Sequence, residues 1–212
     1  MKSFISEDDI EQSICNRLSQ PEYGWERIEC NPKVAAQDDV STTGRGSSAE
    51  CILPEVFLNA LKRMNPQIDI EVLKQIVRDF RRDYTATDMV DTNYKFYNQI
   101  RNGIKVKVKK NGKEDFDIVR LIDFNNVDNN DFHCVNQMWI KGKFRYRRPD
   151  ILLFVNGLPV VFIELKNSTV KVEESYNKNL VSYRKEIPNI FALNQICVLS
   201  NGLQTKLGAW NV

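Results

Sequence analysis

The chain contains few of the side chains that usually build zinc sites and disulfide frameworks. Its 212 residues include one histidine and five cysteines, and no two cysteines have the C-x-x-C spacing. Neither a cysteine–histidine zinc site nor a disulfide framework is therefore predicted. No apolar run approaches the roughly 18 residues that a membrane-spanning helix needs. No signal peptide opens the chain, so the sequence predicts a cytoplasmic protein with no membrane partner.

An excess of charge of either sign is also missing. Thirty Lys and Arg residues face 28 Asp and Glu residues, which gives a net charge of +2. A nucleic-acid-binding surface would therefore have to be a local patch. The Walker pattern G-x-x-x-x-G-K-[ST] does not occur, so no ATP-binding loop is predicted in this chain. The length and the 42% hydrophobic content suit one globular domain over residues 1–212.

Residues 147–166, with the sequence RRPDILLFVNGLPVVFIELK, are the most informative part of the chain. Two apolar runs, 151–155 and 160–163, flank the dipeptide Asn156-Gly157. An Asn-Gly pair between apolar runs predicts a β-hairpin. Runs this apolar are typical of strands that are buried on both faces of a sheet.

Three charged residues lie at the open end of this hairpin: Asp150, Glu164 and Lys166. Glu164 and Lys166 share one face because side chains alternate along a strand. Asp150 joins that face only if it pairs with Glu164, and this register predicts a three-residue loop, 156–158. A two-residue turn would pair Asp150 with Ile163 and place its side chain on the other face.

Two carboxylates beside an ammonium group suit Mg²⁺, with Mn²⁺ as a substitute, and a phosphate group. Asp150 and Glu164 would bind the metal, and the backbone carbonyl of Leu165 would add a ligand. The metal would activate a water molecule, which Lys166 would position or help to activate. The simpler alternative is an ion pair between Lys166 and one carboxylate at a strand end, because the D…ExK pattern is short.

A cationic stretch leads directly into Asp150. Taken as an extended segment, it places cations at alternate positions, so that four of them point to one side. Such a strip suits the backbone of double-stranded DNA. The predicted DNA-binding residues are Lys141, Lys143, Arg145, Arg147 and Arg148.

Periodicity in hydrophobic residues predicts the remaining elements. Helices are expected after a capping box at Ser6 and over 54–64, 69–80, 91–102 and 171–187. Strands are expected over 25–28, 104–109, 117–124, 132–140 and 196–199, with a loop over 37–48. This order predicts an α/β (α+β-like) domain, in which helices flank a small mixed β-sheet.

The residues Pro149-Asp150 and Glu164-Leu165-Lys166 resemble the PD-(D/E)xK nuclease motif. The longer string 129–167, with its Asn136-Gln137 pair, resembles the N-terminal nuclease domain of the R (HsdR) subunit of type I restriction-modification enzymes. The resemblance implies a restriction-endonuclease-like core, whose central strands lie near 150–155, 159–166 and 195–200. It also implies Mg²⁺-dependent cleavage of DNA.

The resemblance adds residues on two helices. Members of the family carry a glutamate on the first helix that reaches the metal site. Glu11 is the preferred match and Glu7 the second, although a solvated helix carboxylate is the simpler explanation. Members also carry a Q-x-x-x-Y pattern, which Tyr183 matches as an accessory residue. Asn179 stands at the glutamine position, and this departure leaves the role of Asn179 open.

In this family the nuclease region precedes an ATP-driven translocase motor. The resemblance therefore implies that this chain is an N-terminal fragment that does not itself bind ATP. It implies double-stranded DNA, a methyltransferase subunit and a specificity subunit as partners. One alternative is a non-catalytic DNA-binding or docking module of the same fold. Another is a different PD-(D/E)xK enzyme, such as an exonuclease or a resolvase.

Overall fold

The computed structural model describes residues 4–30, 39–82, 89–110, 112–172 and 179–210. The helices are α1 (Glu7–Leu18), α2 (Asp39–Thr43), α3 (Pro54–Met64), α4 (Ile70–Phe80), α5 (Met89–Asn102), α6 (Val181–Glu186) and α7 (Pro188–Leu193). The strands are β1 (Glu26–Glu29), β2 (Ile104–Lys110), β3 (Lys113–Val119), β4 (Phe132–Asn136), β5 (Ile140–Lys141), β6 (Tyr146–Arg147), β7 (Ile151–Val155), β8 (Leu158–Leu165), β9 (Ile196–Ser200) and β10 (Thr205–Gly208). None of the helices in these ranges has the length and apolar character that crossing a membrane requires.

Six strands form one mixed sheet in the order β1-β4-β7-β8-β9-β10. The β1–β4 and β8–β9 pairs are parallel, and the β4–β7, β7–β8 and β9–β10 pairs are antiparallel. Strands β2–β3 and β5–β6 form two separate two-stranded sheets. The predicted α/β class and the central position of β7, β8 and β9 are confirmed.

The six-stranded sheet separates two apolar clusters. Ile151 and Leu153 of β7 pack in the smaller cluster together with Ile10 of α1. Leu152 and Phe154 point to the opposite side and join the larger cluster, which includes residues of α3, α4, α5 and α7. Strand β7 is therefore buried on both faces, as its apolar sequence predicts.

The turn between β7 and β8 has two residues, so the predicted three-residue loop is wrong. Val155 pairs with Leu158, and Asn156 and Gly157 have φ angles of 51° and 77°. Positive φ at both central positions is typical of a type I′ hairpin turn, which Asn-Gly favours. A Cβ atom on Gly157 would lie 2.5 Å from the carbonyl oxygen of Leu53, so only glycine fits there.

A β-bulge nevertheless gives the register that the candidate site requires. Val160 is the extra residue of β8, because the cross-strand pairing shifts there. Its carbonyl oxygen accepts hydrogen bonds from the backbone N–H of Gln195 at 2.9 Å and from Nδ2 of Asn194 at 3.2 Å. Beyond the bulge Ile151 pairs with Ile163, so that the next pair outward would set Asp150 opposite Glu164. The even register is confirmed, but its cause is the bulge and not the loop.

The expected loop over 37–48 is wrong for residues 39–43, whereas residues 44–48 lie outside helices and strands as predicted. Residues 39–43 form α2, and the side chain of Arg45 is 4% exposed. Its guanidinium donates hydrogen bonds to the carbonyl oxygens of Glu50 and Trp139, both at 3.0 Å. These contacts hold the described part of the segment against the body of the protein.

Several element boundaries also differ from prediction. Strand β3 begins at Lys113, earlier than predicted, because β2 and β3 pair tightly from Lys110–Lys113 onward. Strand β4 ends at Asn136 because Gln137 has a positive φ of 59°. Residues 173–178 of the expected helix over 171–187, including Tyr176, lie outside the described residues. Pro188 ends α6 as expected but also begins α7, a helix that the sequence analysis missed.

Candidate active site

The ends of β7 and β8 bring the three predicted charged residues together. Asp150 directly precedes β7, Glu164 lies near the end of β8, and Lys166 follows that strand. Oδ2 of Asp150 accepts a hydrogen bond from the backbone N–H of Leu165 at 2.6 Å. Nζ of Lys166 donates to Oε1 of Glu164 at 3.0 Å and to the carbonyl oxygen of Leu165 at 2.6 Å. The structure thus forms one cluster from residues that are up to 16 positions apart in sequence.

Glu164 is the most buried carboxylate of this cluster, with 2% of its surface exposed. Its Oε1 also accepts a hydrogen bond from Nδ2 of Asn179 at 2.6 Å. Burial raises the pKa of Glu164, and Lys166, Asn179 and Tyr183 partly offset that effect. Its Oε2 is buried, and no donor among the described residues makes a regular hydrogen bond to it. A buried carboxylate oxygen without a donor is costly, and a bound cation would remove that cost.

The carboxyl group of Asp150 is difficult to ionise in these surroundings. Burial and the charge of Glu164 raise its pKa from 3.8 to about 7, against the opposing effects of the Leu165 N–H and Lys166. Two carboxylates that disfavour each other's ionisation in a buried position are typical of functional sites. A divalent cation between them would favour the ionised form of both.

Lys166 remains protonated in this arrangement. Burial lowers its pKa, but the carboxylates of Glu164, Glu7 and Asp150 more than compensate, so that the pKa lies above its ordinary value. Lys166 is therefore suited to donate hydrogen bonds and carry positive charge. The strand-end ion pair that the simpler alternative expects is present as the contact between Lys166 and Glu164. That ion pair does not account for the raised pKa of Asp150 or for the unbonded Oε2 of Glu164.

Glu11 of α1 reaches the same end of the sheet and is not a solvated helix carboxylate. Its exposed fraction is 5%. Oε1 accepts a hydrogen bond from Nδ2 of Asn136 at 2.8 Å, and Oε2 accepts one from Nε2 of Gln137. The second choice, Glu7, has a side chain that is 43% exposed and lies 3.7 Å from Nζ of Lys166.

Gln137 connects Glu11 to Asp150, and the sequence analysis did not identify it as a site residue. Its Nε2 lies 3.5 Å from Oδ1 of Asp150, and its backbone N–H donates to the Asp150 carbonyl oxygen at 2.9 Å. Its positive φ is uncommon for a residue other than glycine and is often found at functional sites. The available signal was the Asn136-Gln137 pair in the string 129–167.

The donors of this site fit Mg²⁺ with a small protein ligand set. No group of three or more His, Cys, Asp or Glu side chains within the described ranges is arranged to hold a metal ion. Mg²⁺ commonly binds to one or two carboxylates and keeps several water molecules. Asp150 and Oε2 of Glu164 supply that set. The Leu165 carbonyl could join it only after Lys166 released the hydrogen bond that it now makes there.

Comparison with known proteins identifies the family. Residues 4–211 match the family described as the type I restriction enzyme R protein N terminus. The chain belongs to this family. The type I restriction enzyme HindI endonuclease subunit of Haemophilus influenzae is 32% identical over 210 residues, which are 97% of this chain and 19% of that protein. The putative type I restriction enzyme MjaIXP endonuclease subunit of Methanocaldococcus jannaschii is 33% identical over 173 residues, 78% of this chain and 16% of that protein.

More distant relatives cover the chain equally well. The type I restriction enzyme SauCOLORF180P endonuclease subunit of Staphylococcus aureus is 25% identical over 205 residues, 96% of this chain and 19% of that protein. The chain thus spans about a fifth of the length of the curated relatives it matches. The resemblance seen in 129–167 therefore extends over nearly the whole chain.

The cationic stretch of this R-protein N-terminal chain is not the extended strip that the sequence predicted. Strands β5 and β6 pair as a tight hairpin, with Ile140 opposite Arg147 and Lys141 opposite Tyr146. Lys141 and Arg147 therefore point to opposite faces. The chain turns back on itself within 142–145. Cations at alternate positions on the two sides of this turn therefore do not all point to one face, as they would in an extended segment.

The five predicted cations also differ in their surroundings. Arg147 is hydrogen-bonded to Glu186 of α6, and Nε of Arg145 lies 3.8 Å from the same carboxylate. The Arg148 guanidinium lies 5.1 Å from the centre of the Trp139 ring. Arg148 lines a cleft together with Glu7, Glu11, Gln137 and Asp150. Among the described residues, Arg148 is thus the predicted cation that lines this cleft with Asp150 and Glu11.

Proposed function

We propose that this chain is the Mg²⁺-dependent DNA endonuclease domain, of the PD-(D/E)xK type, of a type I restriction enzyme R subunit. It would hydrolyse phosphodiester bonds of unmodified foreign DNA. The observation that carries the proposal is the buried Oε2 of Glu164, which takes no regular hydrogen bond from the described residues and lies beside Asp150, whose pKa is raised to about 7. A pair of carboxylates with one ammonium group beside it keeps an excess of negative charge, which suits a divalent cation.

The roles of the residues follow from their contacts. Asp150 and Glu164 would hold the metal, which when bound polarises a phosphate group and lowers the pKa of a water ligand. Lys166, protonated and paired with Glu164, would donate a hydrogen bond to a phosphate oxygen and stabilise its negative charge. Asn179 orients Glu164 through the hydrogen bond to Oε1. Tyr183, whose pKa is raised by burial and by Glu164, stays neutral beside that carboxylate.

Glu11 assists from the other side of the sheet end. Its carboxylate is fixed by Asn136 and Gln137, so that it faces the cleft that Asp150 and Arg148 also line. In this position it accepts a hydrogen bond from a water molecule that approaches the phosphate. A fixed carboxylate of this kind orients a water molecule at little entropic cost.

The wider assembly is part of the same proposal. The relatives that the chain matches are named as endonuclease subunits and are about five times as long. We infer that the chain works on double-stranded DNA with methyltransferase and specificity subunits, in the cytoplasm. The ATP-driven motor would lie in the part of the R subunit that this chain does not include. Mn²⁺ is expected to replace Mg²⁺, since both prefer oxygen ligands.

The test is cleavage by the assembled enzyme, with the substitutions placed in the full-length R subunit. Asp150→Asn and Glu164→Gln are expected to reduce the DNA cleavage rate roughly 100-fold or more, because each removes a charged site group. ATP hydrolysis should stay close to wild type. Asp128→Asn, at an exposed position on the 3-10 turn, is the matched control.

Metal binding by the 212-residue chain provides a second measurement. Calorimetric titration with Mg²⁺ or Mn²⁺ is expected to detect binding that Asp150→Ala abolishes. Cleavage by both site variants at the wild-type rate would refute the proposal. The chain would then act as a non-catalytic DNA-binding or docking module of the same fold.

A further inference from the structure

The β5–β6 hairpin presents the most exposed large apolar side chain of the described residues. Phe144 lies at its tip and is 86% exposed. The tip is closed by a hydrogen bond from the backbone N–H of Gly142 to the carbonyl oxygen of Arg145 at 2.8 Å. An aromatic ring that projects from a tight turn into solvent contributes little to folding. The ring is therefore available to contact a partner outside the described chain.

The hairpin is firmly attached to the body of the protein. The Lys141 backbone N–H donates to the Ser48 carbonyl oxygen at 2.9 Å, and the Lys141 carbonyl oxygen accepts from Nδ2 of Asn189 at 3.2 Å. A Cβ atom on Gly142 would lie 1.6 Å from the Glu186 carbonyl oxygen, so the turn lies directly against the end of α6. The tip is therefore already ordered, and it should lose little conformational entropy when it binds a partner.

Positive charge surrounds the exposed ring. Nζ of Lys143 lies 5.1 Å from the centre of the Phe144 ring, and Nζ of Lys141 lies 5.7 Å from that of Tyr146. The Arg145 side chain is 69% exposed. Aromatic rings flanked by cations are the combination with which proteins stack on bases and neutralise phosphates. An acidic partner would match only the cations of this surface, and a purely apolar partner would match only its aromatic rings.

The tip is close enough to the candidate site for one DNA molecule to contact both. Phe144 precedes Asp150 by six residues, which span at most about 20 Å when fully extended. That span corresponds to roughly six base pairs, at ~3.4 Å each. A DNA strand with a phosphate at Asp150 would therefore pass within reach of the hairpin.

We propose that the β5–β6 hairpin is a DNA-contact element in which Phe144 inserts between neighbouring base pairs of the bound duplex and stacks on a base, while Lys143 and Arg145 contact the flanking phosphates. This inference rests on the proposed function for the choice of DNA as the partner. It adds an aromatic contact that the cationic residues by themselves do not require. Proteins insert apolar side chains between base steps in this manner, with cations on the backbone.

The test measures binding of a short duplex to the 212-residue chain by fluorescence anisotropy, in EDTA and over a range of salt concentrations. Phe144→Ala is expected to weaken binding by ~5- to 100-fold, which is the effect of losing a stack on one base. Phe144→Trp should bind within about twofold of wild type, because indole also stacks on bases. Phe124→Ala, at another exposed phenylalanine with 65% exposure, is the matched control and should have no effect.

The salt dependence separates stacking from charge. Phe144→Ala should leave the slope of log K against log salt unchanged, whereas Lys143→Ala should reduce it by about one phosphate contact. Wild-type affinity of Phe144→Ala overturns the proposal, as does the absence of measurable duplex binding by the wild-type chain. Unchanged DNA affinity of Phe144→Ala combined with lost assembly of the full enzyme would also overturn it and identify a protein partner. Because EDTA removes metal, these results are independent of the cleavage assay that judges the proposed function.

Discussion

Replacing Asp150 with asparagine is expected to stabilise the metal-free chain at alkaline pH and to remove its response to Mg²⁺. Burial and Glu164 raise the pKa of Asp150 to about 7 from 3.8. A carboxyl group whose pKa is raised by folding contributes stability that is present below its unfolded-state pKa and is lost as pH rises through its folded-state pKa. The metal-free wild type should therefore lose stability between about pH 4 and pH 7.

The size of the stability gain follows from the change in the pKa of Asp150. A difference of about three pKa units, at 1.36 kcal/mol each, sets an upper limit of ~4 kcal/mol at pH 8. Glu164 titrates beside Asp150, and Lys166 partly neutralises both, so we expect a gain of roughly 1–3 kcal/mol for Asp150→Asn. For a chain of this size each kcal/mol raises Tm by ~2–4 °C.

The assay is urea unfolding of wild type and Asp150→Asn at pH 5 and pH 8, first in EDTA and then in Mg²⁺. The stability gain of the variant should be larger at pH 8 than at pH 5. Mg²⁺ should stabilise the wild type but not Asp150→Asn, because a ligand stabilises the state that binds it. Asp128→Asn should show no such stability gain, and Mg²⁺ should stabilise it as much as it stabilises the wild type. An equal difference between wild type and Asp150→Asn at both pH values would refute this account of the site.

Three further substitutions test other parts of the structure. Gln137→Asn keeps a residue that tolerates positive φ but shortens the side chain whose amide reaches Glu11. Urea unfolding should show a loss of ~1–3 kcal/mol, which is the cost of removing a donor from a buried carboxylate. Unchanged stability would contradict the role of Gln137 as a link between Glu11 and Asp150. Gly142→Ala places a Cβ atom against α6 and should lower Tm by several degrees, whereas Gly208→Ala, which has open space around it, should not. Asn194→Ala removes the buried amide that donates to the carbonyl oxygens of Val160 and Ile196 and accepts from Sγ of Cys197, and urea unfolding should show a loss of at least ~1–3 kcal/mol. A smaller loss would contradict a role of this amide in holding the bulge.

The local elements were predicted well where one face of a segment is apolar. The helix over 54–64 has the predicted bounds, and the capping box at Ser6 is formed. These elements depend on side-chain spacing and caps within a few residues, which the sequence displays directly. The grouping of Asp150, Glu164 and Lys166 was predicted for the same reason, because one hairpin brings them together.

The sequence by itself determined the apolar strands, the Asn-Gly turn, the carboxylate pair and the resemblance that the family match confirms. Only the tertiary structure decided the bulge at Val160. The carbonyl oxygen of Val160 accepts hydrogen bonds from Asn194 and Gln195, which lie between α7 and β9. The same holds for Gln137, whose amide links a helix to a strand end, and for Arg147, which Glu186 engages. Each of these contacts joins residues from separate elements, and local periodicity contains no information about which distant donor meets which acceptor.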